Sequence, residues 1–208
     1  MSLLVVVGAG GHGAVVAEAA AEMDCWSKIV FIDESDTQEP VVGFSVIGPL
    51  SVVDSISATD SEFVVAIGDN DSRLKLLSQL GADNRKIATV IHPSATISRT
   101  ATIERGVVVC ANVCINARAR IGRGAIINTG ATIDHDCIIG EGVHVSPGAN
   151  LAGTVTVGNR AWIGIGSSVR QTLRIGDNAG VGAGAAVVSD VPEGITVVGV
   201  PSRPMRKE

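Results

Sequence analysis

The chain has 208 residues, enough for one large domain or two small ones, and is 46% hydrophobic with a mean hydropathy of +0.38. Its apolar residues are scattered, and no unbroken run approaches the ~20 that a membrane-spanning helix needs, so no membrane insertion is expected. A net charge of -5, 2% aromatic residues and no Tyr exclude the basic, stacking surface of a nucleic-acid-binding protein.

Taken in chain order, Ser2 to Val7 carries no secretory leader and runs straight into a glycine loop. Leu3 to Val7 reads as a short buried strand. Gly8-Ala9-Gly10-Gly11-His12-Gly13 follows, matching G-x-G-x-x-G, and Ala14 to Met23 reads as an alanine-rich helix. Ile29 to Ile32 is a second strand, closed by Asp33 and Glu34. Phe63 to Ile67 is a third, ending at Gly68-Asp69-Asn70, and Ser72 to Leu80 is a helix stopped by Gly81. Alternating strands and helices imply a small parallel α/β sheet, with its ligand at the carboxyl ends of the strands. Asp33 stands 20 residues after Gly13, where a ribose-binding acid belongs. A dinucleotide site is therefore one reading. About 90 residues are too few for two mononucleotide halves, so a single nucleotide or nucleotide-sugar fits better, and a ligand-free glycine turn stays open.

From His92-Pro93 the pattern changes, which sets the expected domains at residues 1–91 and 92–208. An aliphatic residue recurs every six positions: Ile97, Ile103, Val109, Ile115, Ile121, Ile127, Ile133, Ile139, Val145, Leu151, Val157, Ile163, Val169, Ile175, Val181 and Val187. Two residues earlier the side chain is usually small, as at Ala119, Ala131, Cys137 and Ala161. A strict six matches neither a helix nor an ordinary strand; it marks a parallel β-helix with three hexads, about 18 residues, to each coil. Sixteen hexads then give about five coils. A tail follows, with Arg203, Arg206 and Lys207 able to meet phosphates or solvent. The flat faces of such a prism predict oligomerisation.

The hexad rule also sorts the residues that can do chemistry. His135 follows the inward Ile133 by two and is flanked by Asp134 and Asp136. One coil away in either direction stand Ala117 and Gly153, which leave room beside the ring. A carboxylate next to an imidazole sets its tautomer and raises its basicity. A solvated surface histidine is the competing reading. His144 lies half a coil further on, on another side of the prism, so the two histidines can share a site only across two chains. Cys137 reads as core, and the other cysteines (Cys25, Cys110, Cys114) have neither metal-site nor disulfide spacing, which points to a reduced, cytoplasmic protein. No second nitrogen or sulfur ligand lies near His135, so no metal is expected. Trp162 can stack on a ligand ring or sit at the solenoid rim.

The glycine loop, the hexads, Ile133-Asp134-His135-Asp136-Cys137 and Gly199-Val200-Pro201-Ser202-Arg203 together resemble the bacterial sugar acetyltransferases of the left-handed β-helix superfamily. Within it, the chain is most similar to the UDP-4-amino-sugar (bacillosamine-pathway) N-acetyltransferases, perosamine N-acetyltransferase and the sialic acid O-acetyltransferase group. The resemblance covers essentially the whole chain. It implies a Rossmann-like nucleotide-sugar-binding domain, a left-handed β-helix, a homotrimer, and acetyl-CoA in the groove between adjacent prisms. It implies His135 as general base and Asp136, often Glu in these enzymes, as its orienting acid. It implies acetyl-CoA contacts at His144, Gly153, Ile165 and Ala183, the last of which is usually Gly. Gly10, Gly11, His12, Asp33, Glu34 and Gly68 match the nucleotide-sugar contacts.

The expected activity is acetyl transfer from acetyl-CoA to the amine of a nucleotide-linked amino sugar, in surface-glycan biosynthesis. An O-acetyltransferase acting on sialic acid or a related sugar needs the same base and is the rival of the same class. A non-catalytic nucleotide-binding scaffold is the rival of another class.

Overall fold

The computed structural model describes residues 3–35 and 39–205. Ser2, Arg206 and Lys207 lie outside the described residues. The chain divides into two compact units, Met1–Pro93 and Ser94–Glu208.

The first unit holds β1 (Leu3–Val7), α1 (Gly11–Glu22), β2 (Lys28–Ile32), β3 (Ser61–Val65), α2 (Asn70–Ala82), β4 (Lys86–Ile87) and β5 (Val90–Ile91), with a 3₁₀ turn at Leu50–Ser55. β1 to β4 form one parallel sheet in the order β2-β1-β3-β4. Val5, Val7, Val30, Ile32, Phe63 and Val65 face a core closed by Leu77 and Leu80 of α2. Several elements depart from expectation. α2 starts at Asn70, where the Asp69 side chain caps it by accepting from the Ser72 N–H, and runs through Gly81 to Ala82 instead of stopping there. The first helix begins at Gly11 instead of Ala14, because the glycines after Gly10 form its first turn. β3 runs two residues earlier than Phe63 to Ile67, since the strand pairs from Ser61 and Ile67 already belongs to the loop beyond it. β4 was not legible, being two residues long and lacking an apolar run.

The second unit is a left-handed parallel β-helix of about six turns. Through the hexads each strand is two residues long and pairs in parallel with the strand 18 residues on. One face stacks Ile121, Ile139, Val157 and Ile175; the second Ile127, Val145, Ile163 and Val181; the third Ile133, Leu151, Val169 and Val187. From Val109 to Val187 every hexad aliphatic is at most 3% exposed, and the small residue two positions before it is usually inward as well. Ile97 and Ile103, at the start, are half-buried. The coil count exceeds the expected five because Thr196–Val198 adds a strand past the last hexad. That final coil is shortened: Val181 pairs with Val197, 16 residues later, so the strict six could not find it.

The period of six has a backbone cause. At every sixth position from Gly106 to Gly184 the residue is left-handed, with φ between 56° and 74°. One such residue per turn rotates the chain from one face to the next. Glycine supplies it freely at Gly124, Gly130, Gly142, Gly148 and Gly166. Arg118, Asp136, Thr154 and Thr172 adopt it without that freedom and all belong to one corner.

A second set of glycines is needed for space. A Cβ on Gly140 would lie 2.7 Å from Asn159 Oδ1, and one on Gly158 would lie 2.5 Å from the Asp177 nitrogen, both on the next coil. Gly158→Ala should therefore cost about 1–3 kcal/mol through forced separation of coils. Gly148→Ala, which has φ 64° but open space around its Cβ, should cost only about 1 kcal/mol of backbone strain. Thermal midpoints of the two variants check this: equal losses would refute the close-stacking account.

Candidate active site

His135 sits at the corner that follows the Thr132–Ile133 strand. Its Nδ1 is 2.8 Å from Asp136 Oδ2. A carboxylate only accepts, so in the neutral ring Nδ1 carries the proton and Nε2 keeps its lone pair. Nε2 lies against Gly153: a Cβ there would come within 2.5 Å of it. Glycine at 153 is thus what lets the imidazole lie across the neighbouring coil, and the expected pairing of the two positions is found.

The two flanking carboxylates do different work. Asp134 Oδ1 accepts from the His135 backbone N–H at 2.7 Å and from Asn116 Nδ2 at 2.9 Å. It shapes the corner backbone, and these bonds, Asn116 first, hold its carboxyl below the usual range. Asp136 alone faces the ring. Its left-handed backbone, φ 59°, places it directly above Arg118, one coil earlier. Arg118 Nε donates to Asp136 Oδ1 at 2.6 Å and a terminal nitrogen donates to Oδ2 at 2.8 Å. Those two bonds, then the one from His135, hold the Asp136 carboxyl far below the ordinary range. Arg118 was not singled out in the sequence, although it stands 18 residues before Asp136 and the coil length names it.

His144 is on another face, in the His144–Val145 strand, 7% exposed. Asn128 Nδ2 is 3.2 Å from its Nε2, and the Trp162 ring stands one coil further on with centroids 4.2 Å apart, tilted by 51°. Trp162 is therefore packed on a protein ring at the solenoid surface. Ile165 and Ala183 occupy the third kind of corner, stacked one above the other, both exposed; the Ile165 carbonyl accepts from the Gly184 N–H at 2.8 Å. Within one chain, the structure brings His135, Asp136 and Gly153 together and keeps His144 on a separate face. Cys137 and Cys110 are buried core, as read for Cys137.

In the first unit, a cavity of about 260 Å³ opens at the carboxyl ends of β1 and β2, lined by Val7, Gly8, Ile32, Asp33, Glu34, Leu50, Ile67 and Leu76. This is where an open parallel sheet holds its ligand. Gly8 has φ 107°, and a Cβ on Gly13 would collide with the Gly8 carbonyl, so both glycines are dictated by the tight strand-to-helix turn. Gly10, Gly11 and Gly68 have no atom within 4 Å of where a Cβ would stand, leaving backbone open to a ligand. Asp33 accepts from the Ala9 N–H at 2.7 Å and the Ser35 N–H at 2.8 Å, and these bonds, Ala9 first, hold its carboxyl below the usual range. Glu34 Oε1 accepts from the Leu50 N–H at 3.0 Å. The sequence reading missed Arg73. Fully buried, it donates to the Ile67 and Gly68 carbonyls at 2.8 and 2.9 Å and to Asn70 Oδ1 at 2.7 Å, fixing the loop after β3. Nothing in its polar helical context marks it. Burial lowers its pKa to about 10. Burial first, then the Arg73 charge, pushes His12 down to about 4.

The PglD N-terminal domain family matches residues 3–80, and the bacterial transferase hexapeptide family, six repeats, matches residues 118–153. The acetyltransferase domain of PglB from Neisseria gonorrhoeae is 41% identical over 99% of this chain and 100% of its own, with a TM-score of 0.96. A point mutant of perosamine N-acetyltransferase from Caulobacter crescentus, in complex with CoA and GDP-perosamine, is 37% identical over 100% and 98%, with a TM-score of 0.95. This chain belongs to the hexapeptide-repeat sugar acetyltransferases with a PglD-type N-terminal domain. The curated UDP-N-acetylbacillosamine N-acetyltransferase of Bacillus subtilis is 39% identical over 114 residues, a stretch that spans about half of each chain (53% and 52%). No helix among the described residues is long and apolar enough to cross a membrane.

The lowered pKa of His12 has a consequence for stability. Between its ordinary value of 6.5 and about 4, the unfolded chain binds a proton there and the folded chain does not. Stability therefore falls as pH drops through that window, by on the order of 2 kcal/mol from this group. His12→Gln should flatten the fall in unfolding midpoint between pH 7 and pH 4.5. A variant that loses as much as the parent would refute a neutral, buried His12.

Proposed function

We propose that this protein transfers the acetyl group of acetyl-CoA to the amine of a UDP- or GDP-linked 4-amino sugar for surface-glycan biosynthesis. The observation that carries the reading is the 2.8 Å contact of His135 Nδ1 with Asp136, which leaves Nε2 basic beside Gly153. Two relatives support it in their substrates: a perosamine N-acetyltransferase bound to CoA and GDP-perosamine, and the PglB acetyltransferase domain bound to acetyl coenzyme A.

The sugar amine is mostly protonated at neutral pH and attacks only as the free base. His135 Nε2 takes the proton as the amine nitrogen bonds to the thioester carbonyl carbon, a contribution of roughly 10²–10⁴-fold. The carbonyl oxygen gains the negative charge, and a backbone N–H such as that of Gly153 stabilises it by on the order of 3 kcal/mol. Collapse of the tetrahedral intermediate breaks the carbon–sulfur bond, and His135 returns its proton to the departing CoA thiolate. No covalent enzyme intermediate is required. His144, and the stacked backbone at Ile165 and Ala183, bind the acetyl-CoA arm. Because His135 and His144 lie on different faces of one prism, a complete site is built between chains, in a homotrimer. The cavity bounded by Asp33 and Glu34, with the open backbone at Gly10, Gly11 and Gly68 and the neutral His12, binds the nucleotide. The helix N-terminus at Gly11 favours its phosphates.

Free-thiol release from acetyl-CoA, measured against UDP-, GDP-, dTDP- and CMP-linked amino and hydroxy sugars, tests the class. Turnover confined to a 4-amino nucleotide-sugar is expected; turnover only with sialic acids would move the assignment to O-acetylation. His135→Ala should lower kcat by roughly 10²–10⁴-fold while leaving the oligomer intact. Near-normal turnover would overturn the role of His135. Gly153→Ala, which displaces the ring, should lower kcat on the order of 10²-fold. A variant with unchanged kcat would show that the ring position is not needed.

A further inference from the structure

The Asp136 carboxylate is short, and a carboxylate one residue from its histidine has several rotamers that miss the ring. In this structure a single partner removes that freedom. Arg118 grips both oxygens, Nε to Oδ1 at 2.6 Å and a terminal nitrogen to Oδ2 at 2.8 Å, and the same Oδ2 reaches His135 Nδ1 at 2.8 Å. A two-bond guanidinium fork fixes the plane of a carboxylate as well as its position. Both residues stand on left-handed backbone at the same corner, φ 61° and 59°, which stacks them one coil apart. Arg118 is itself anchored from below, its backbone N–H donating to Thr100 Oγ1 at 3.0 Å.

We propose that Arg118 is a positioning residue, clamping Asp136 in the one orientation that holds the His135 ring. The inference rests on the reading of His135 as the base. Arg118 does not touch the reacting atoms; it acts through Asp136. Asp136 alone meets the ring through its carboxylate, since Asp134 is engaged by the His135 backbone N–H and by Asn116.

The test uses the intact protein with Arg118→Gln and Arg118→Lys. Arg118→Gln should lower kcat by about tenfold with KM for acetyl-CoA and for the sugar within about twofold. Arg118→Lys keeps the charge without the fork, so kcat should recover only in part. Nitrogen-15 histidine spectra supply a readout that needs no turnover. The Nδ1–H signal of His135, identified by its loss in His135→Ala, should broaden or vanish in Arg118→Gln. A parental kcat and Nδ1–H signal in Arg118→Gln would overturn the proposal. So would a change confined to KM for the nucleotide-sugar, which would make Arg118 a substrate contact. Failure of His135→Ala to lower turnover would instead overturn the base, and the spectra would still report whether the clamp exists.

Discussion

The parallel pairing of each residue with the one 18 positions later governs the solenoid and its site. Two-residue strands have little stability alone; here each strand inside a column is hydrogen-bonded on both sides and backed by an inward aliphatic column. The same pairing decides which side chains meet at the corners. Every corner is a column of residues in register, so a functional group at one position is surrounded by residues one coil above and one coil below, and by little else.

That constraint explains the composition of the candidate site. His135 needs space on one side, and Gly153 provides it from the coil above. Asp136 needs a fixed orientation, and Arg118 provides it from the coil below. Asp134 uses its acceptor on the backbone and on Asn116, and so holds the corner itself. A catalytic constellation built this way is rigid because each member is part of the scaffold's own stacking. Left-handed backbone at non-glycine residues, costing about 1 kcal/mol each, is tolerated where the side chain is needed. The other corners relieve it with glycine at most positions, Asn112, Arg160 and Asn178 being the exceptions.

The N-terminal unit builds its candidate ligand cavity by a different rule. Its parallel sheet directs the strand ends, and with them Gly8, Asp33 and Ile67, to one edge. Buried Arg73 holds the loop after β3 and adds to the burial that keeps His12 neutral. A neutral imidazole beside an open glycine backbone can donate or accept, which suits recognition of a polar, anionic nucleotide.

The period of six was readable in the chain because the inward positions are spaced by backbone geometry and filled by one class of residue. It determined the solenoid, its core and the neighbourhood of His135 with Gly153, all of which are arithmetic in steps of 18. It also contained Arg118, which the same arithmetic names once Asp136 is chosen. The strand-to-helix turn at Gly8 to Gly13 was legible for a related reason: glycine is dictated there by collision, not by preference. Other features had no local signature. The shortened last coil breaks the period, β4 is too brief to carry a pattern, and Arg73 looks like any exposed helical arginine. Adjacency alone did not decide which of the two carboxylates faces the imidazole; the family resemblance named Asp136, and Asp136 is the one 2.8 Å from the ring. Only the three-dimensional arrangement settled the other three, because burial and side-chain direction depend on elements that meet across the fold and leave no periodic trace along the chain.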